Sequence, residues 1–181
     1  MTLVRSWLGR SNGAPRLILG SNAAWWPKDD LPLNLWVDWG LSSEARPAQL
    51  FAAVLSLGRG NFLWPVDLQA ETRNAFFANR ATFRSAVVIQ PYTVTSAPGR
   101  FTCTTDIRFD RTSGEMHNAL VEWNLYPGDD VGNVARLTHE LGHCLGLGHC
   151  DGTVMQERVS DWTGLRGFNA EQVKYLNGLR A

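Results

Sequence analysis

Three of the chain's four histidines fall within eleven consecutive residues, His139-Glu-Leu-Gly-His143-Cys-Leu-Gly146-Leu-Gly-His149, and no other feature of the sequence restricts the fold as tightly. Residues four apart on a helix share a face, so His139 and His143 can present two imidazole nitrogens from one rigid element to a single metal ion. A third nitrogen has to come from beyond that helix. Gly146 accepts the positive φ that ends a helix and turns the chain back, which brings His149 round as the third ligand. Three histidine nitrogens suit one zinc ion and leave its fourth position to water, whose pKa falls from about 15.7 to about 7. Glu140, beside the first histidine, is then the general base and acid for that water and for a leaving amine. The expected chemistry is metal-assisted amide hydrolysis, with no serine or cysteine nucleophile.

The histidine helix needs an apolar back, and Val134, Leu137, Leu141 and Leu145 supply one at spacings of three and four, with Asp130 or Asn133 as its N-cap. Upstream, Leu33, Leu35, Val37 and Trp39 alternate and predict a strand over 33–39. Pro47 in a first turn, with Leu50, Phe51, Val54 and Leu55 on one side, predicts a helix within 43–57. The β-rich runs 86–92 and 101–109, separated by Ala97-Pro98-Gly99, are expected to be neighbouring strands, and 118–126 is a further strand that stops at Pro127-Gly128. Residues 71–84 read as a short helix. Asn169 and Gln172 have capping-box spacing, and Val173, Leu176 and Leu179 form the stripe of a closing helix.

These elements fit one domain of 181 residues, 44% hydrophobic and 19% charged. It divides into an irregular arm over 1–30, the sheet and active-site helix over 31–149, and a small C-terminal subdomain over 150–181. Seventeen basic residues balance seventeen acidic ones, so neither nucleic acid nor an anionic membrane is expected as a partner. The longest apolar stretches, such as 31–39, fall short of the roughly 20 residues that cross a bilayer, and a soluble protein is expected. The N-terminus lacks the apolar region of a secretory signal, which places the protein inside the cell unless a leader has been removed. Cys103, Cys144 and Cys150 allow at most one bridge; a local Cys144–Cys150 bridge and three reduced thiols both stay open. Oligomeric state is not encoded in any pattern here.

The extended motif resembles that of the metzincin zinc peptidases, which have histidines and glycine where this chain has His139, His143, His149 and Gly146. Gly152-Thr-Val-Met155 is similar to the family's tight turn, whose methionine packs beneath the metal. His-Glu-Leu-Gly-His, the Leu-Gly-Leu-Gly-His continuation, the short interval to Met155 and the closing helix are most similar to the matrixins, the matrix-metalloproteinase-like type. The resemblance implies an α+β fold, a twisted mixed sheet over a zinc-binding active-site helix with a small C-terminal subdomain ending in a helix. It also implies one catalytic zinc ion on His139, His143 and His149, Glu140 as base and acid, and Met155 as support rather than ligand. The substrate implied is an extended protein or peptide that pairs with an edge strand. Trp162 falls where the family places the wall of the pocket for the residue after the scissile bond, though core packing suits it equally. Cys150 stands where matrixins usually have serine, and Gln156-Glu157 where they usually have tyrosine-proline, which leaves the specificity pocket undefined. No cysteine precedes Cys103, so the cysteine switch of matrixin pro-segments is missing from this chain.

Simpler readings compete for several residues. A structural zinc would need a fourth protein ligand, for which Cys144, Cys150 and Asp151 are near in sequence. Cys150 is more simply a packed thiol, His117 a hydrogen-bonded histidine, Asp29 and Asp30 a solvated turn, and the eight tryptophans core contacts. The expected function is a zinc-dependent endopeptidase. Its alternatives are a latent or non-cleaving zinc-bearing peptide-binding module, which has no need of Glu140, and a small-molecule amidase built on the same ligands.

Overall fold

A computed structural model describes residues 16–19, 22–58, 60–95, 103–156 and 167–179. Short pairs β1 (Ile18–Leu19) and β2 (Asn22–Ala23) form a two-stranded ribbon in the N-terminal arm. The main sheet has five strands: β3 (Asn34–Val37), β4 (Val66–Asp67), β5 (Ala86–Thr93), β6 (Thr104–Phe109) and β7 (Met116–Leu125). Their order is β4-β3-β5-β7-β6. All neighbours are parallel except β6, which runs antiparallel to β7 at the edge. With helices α1 (Pro47–Ser56), α2 (Ala70–Ala78), α3 (Asp130–Cys144) and α4 (Ala170–Gly178), the fold is α+β with a mixed sheet. No helix of the described residues is long and apolar enough to cross a membrane.

The central strand explains the layering. Ala86, Val87, Val88 and Ile89 of β5 are buried at successive positions, as a parallel strand covered on both faces requires. Val87 and Ile89 join the main core with Leu50 of α1 and Leu137 and Leu141 of α3, while Val88 meets Phe76 of α2 on the opposite face.

The runs around 86–92 and 101–109 are not neighbours, contrary to the sequence expectation, because β7 lies between them. β5 pairs with β7 over eight positions, from Ala86↔Asn118 to Thr93↔Leu125. β6 folds onto β7 through a tight turn that the sequence reading passed over. There Asp110 Oδ1 accepts the N–H groups of Thr112 and Ser113, and Gly114 takes φ 78°. Ala97-Pro98-Gly99 lies outside the described residues.

Other boundaries shift for local reasons. The strand expected over 33–39 is shorter, because Trp39 starts a 3-10 turn and Leu33 makes only an isolated bridge with Phe62. Pro47 opens α1 as expected, but Leu50, Ala53 and Leu57 face the core at spacings of three and four while Leu55 is exposed. The helix expected over 71–84 breaks at Asn79, with φ −150°, and continues as a 3-10 turn over Arg80–Thr82. Both halves of the α4 capping box are present, and that box turns Gln172 inward, so Gln172 and Leu176 are buried while Val173 is exposed.

Candidate metal centre

α3 starts one residue earlier than the sequence suggested. Asp129, not Asp130 or Asn133, caps it by accepting the Gly132 N–H at 3.0 Å. Asn133 is used instead to weld the helix to the end of β7: its Oδ1 accepts the Tyr126 N–H and its Nδ2 donates to the Tyr126 carbonyl. Buried Arg136 donates to Asp129 Oδ2 at 2.8 Å and lies 4.5 Å over the Tyr126 ring. A helix anchored in this way can be buried on more than one side: Leu137 and Leu141 pack in the main core, and His139, Glu140 and His143 are buried as well.

The end of α3 is fixed as firmly as its start. Gly146 takes φ 87°, its N–H donates to the His143 carbonyl and that of Leu147 to the Gly142 carbonyl, a Schellman motif. The last carbonyls are claimed from outside the helix: Cys144 by the Trp26 indole N–H at 2.7 Å, Leu145 by the Tyr175 hydroxyl at 2.8 Å, Gly146 by the Leu17 N–H at 2.7 Å. The N-terminal arm and α4, both distant in sequence, therefore set the path from His143 to His149.

Along that path the three histidines meet. His139 Nδ1 lies 2.8 Å from the Val154 carbonyl and His143 Nδ1 2.8 Å from the Leu147 carbonyl. A carbonyl can only accept, so each Nδ1 carries the proton and each Nε2 keeps its lone pair. Those Nε2 atoms converge: His143 is 3.0 Å from His139 and 3.1 Å from His149. Ligands held about 2.0–2.1 Å from a tetrahedral zinc stand about 3.3 Å apart, close to these separations. Burial holds His139 and His149 down at about 4 and His143 well below the usual imidazole range, so all three are neutral at pH 7. The lone pairs of His139 and His143 facing each other at this distance suit a cation between them, and His139, His143 and His149 together can hold a metal ion. No fourth Cys, Asp or Glu among the described residues joins the group.

Glu140 lies on the same helix, three residues before His143, and is 5% exposed. Burial raises its carboxyl to about 7, opposed by a hydrogen bond from Thr105. Met155 is fully buried beneath α3, and a Cβ placed on Gly142 would come 2.5 Å from its Sδ. The glycine inside the histidine motif thus makes room for the methionine. Cys103, Cys144 and Cys150 are free thiols, and Cys150 Sγ accepts from Asn169 Nδ2 at 3.3 Å. His117 sits 3.6 Å from Glu115 and does not belong to the group of three histidines. Trp162 lies outside the described residues.

Sequence reasoning missed Thr105, Val154, Trp26, Tyr175 and the backbone of Arg16 and Leu17. The glycine at 148 was the available signal for the last of these: a Cβ there would meet the Arg16 carbonyl oxygen at 2.5 Å. Gly148→Ala is expected to cost about 1–3 kcal/mol, because backbone and not a flexible side chain has to yield. For a chain of this size that lowers Tm by roughly 2–10 °C in thermal unfolding. A Tm within a degree of wild type would show that the arm does not hold the loop.

No model of a known protein family matches the chain, and no curated protein matches it.

Proposed function

We propose that this protein is a zinc-dependent endopeptidase of the metzincin type, closest to the matrixins, that hydrolyses peptide bonds of extended polypeptides. The observation that carries the reading is the convergence of the Nε2 atoms of three neutral histidines, two of them on a helix that also carries a buried carboxyl, Glu140. When bound, zinc supplies Lewis acidity toward a water and toward the peptide carbonyl. His139 and His143 keep their Nε2 atoms aimed because their Nδ1 protons are spent on backbone carbonyls. Glu140, with a carboxyl near neutrality, takes a proton at its carboxylate and delivers it to the leaving amine.

A set of three nitrogens with no fourth protein ligand among the described residues supports a catalytic over a structural ion. β6 supports a polypeptide over a small-molecule substrate. It ends the sheet, and its outer edge pairs with no strand among the described residues, so an extended chain can add to it through backbone hydrogen bonds.

Purified protein is expected to cleave a quenched-fluorescent unfolded protein, to stop when a chelator removes metal, and to resume when zinc is restored. Turnover that survives complete metal removal would end this reading.

A further inference from the structure

A glutamate on a helix turns about three side-chain bonds, yet a proton acceptor has to be aimed. In this protein one Glu140 oxygen is tied to a different element. Thr105 Oγ1 lies 2.5 Å from Glu140 Oε2 and 3.3 Å from the Glu140 backbone carbonyl. A hydroxyl has one proton and a carboxylate only accepts, so Thr105 donates to Oε2, at the distance of a charge-assisted hydrogen bond.

The strand delivers this hydroxyl through its alternation. Thr104, Asp106 and Arg108 of β6 are exposed, whereas Thr105, Ile107 and Phe109 turn inward. Register on β7, with Thr105 opposite Val121, sets the height of the hydroxyl against α3. Just before the strand, buried Cys103 accepts the Asn124 N–H at 3.3 Å and pins its start.

We infer that Thr105 is a positioning residue: its hydroxyl ties Oε2 of Glu140 to the edge strand β6, leaving Oε1 as the oxygen that takes the proton. The inference rests on the peptidase reading above and adds that the strand offered to the substrate is also the strand that aims the base. Because the Thr105 side chain points inward, its loss disturbs the base and leaves the backbone edge intact.

Thr105→Val keeps the β-branched shape without the hydroxyl, and Thr105→Ser keeps the hydroxyl without the methyl. Thr105→Val is expected to lower kcat by about 10–100-fold with KM within about twofold, since misplacement by about 1 Å costs up to that much. Zinc content stays at the wild-type level, Thr105→Ser recovers kcat to within about threefold, and Thr105→Ala, the second variant lacking the hydroxyl, matches Thr105→Val. Independently of activity, Thr105→Val is expected to lower the Tm of the metal-free protein at pH 8 by about 3–6 °C when Glu140 is present, and hardly at all in a Glu140→Ala background. Unchanged kcat in Thr105→Val, no rescue by serine, or an equal Tm loss in both backgrounds would each overturn the positioning role while leaving the peptidase reading intact. A wild type that never turns over would overturn both.

Discussion

Glu140→Ala is expected to lower kcat by about 10²–10⁴-fold while binding zinc as the wild type does. On the proposed reading the magnitude is that of a lost general acid and base, and zinc stays because the group that can hold a metal ion consists of His139, His143 and His149. Stability should fall by no more than the few degrees credited to the Thr105 hydrogen bond, because the substitution also removes a buried carboxyl whose ionisation burial opposes and installs a strong helix former. The measurement is turnover of a quenched-fluorescent protein substrate alongside bound zinc in both proteins. Zinc in both with turnover only in the wild type supports the assignment. Zinc in both with turnover in neither would make the protein a latent enzyme or a peptide-binding module, and zinc lost from Glu140→Ala would make Glu140 part of the metal site.

Without metal, the protein should lose stability steeply on mild acidification. His139 and His149 are held at about 4 and His143 well below the usual range, against about 6.5 in an unfolded chain. A folded-state pKa below the unfolded one contributes stability that is full above about 6.5 and is lost as pH falls toward 4. Glu140, raised from 4.5 to about 7, acts in the opposite sense: its contribution is full at low pH and is lost as pH rises through that interval. Near pH 5.5 the unfolded chain thus carries almost three extra protons on the histidines and the folded chain one on Glu140. The net difference of about two protons corresponds to roughly 2–3 kcal/mol per pH unit, nearer 2 because His149 is only partly buried. That slope is reached only below the imidazole value of about 6.5, so between pH 7.5 and 5.5 the loss accumulates to about 2 kcal/mol, a measurable part of a typical total of about 5–15 kcal/mol. Urea midpoints of chelator-treated protein at pH 7.5, 6.5 and 5.5 test this, with a steeper fall in Glu140→Ala and a shallower one under saturating zinc. Midpoints that do not move with pH would mean that the three imidazoles are not buried as described.

What the sequence disclosed and what it hid divide along chain distance. The convergence of His139, His143 and His149 was readable because helical repeat and one reversal at Gly146 encode it within eleven residues. The capping box of α4 was readable for the same reason, needing only Asn169 and Gln172. Strand adjacency was not, since nothing in residues 86–109 announces that β7 will come between β5 and β6. Nor was the inner side of α1, because apolar spacing names a stripe without saying which neighbour covers it, and Leu55 ended exposed. Thr105 looked like one more polar residue in an alternating strand; only the packing of β6 on α3 gives its hydroxyl a partner. Gly148 was visible as a glycine, but its reason, the Arg16 carbonyl, lies at the other end of the chain.

That reach across the chain bears on the order of assembly. Trp26 and Cys144, joined at the end of α3, are 118 residues apart. A ribosome adding about 5–20 residues per second needs roughly 6–24 s to make that interval, during which Leu17 and Trp26 have no histidine loop to cover them. Contacts this distant in sequence also come late in folding, because loop closure must precede any gain from them. The last strand of the sheet ends at Leu125, ahead of His139 and His149, and the contacts that set the histidine loop reach back to Leu17 and Trp26, so zinc capture in a refolding experiment should trail the appearance of β structure.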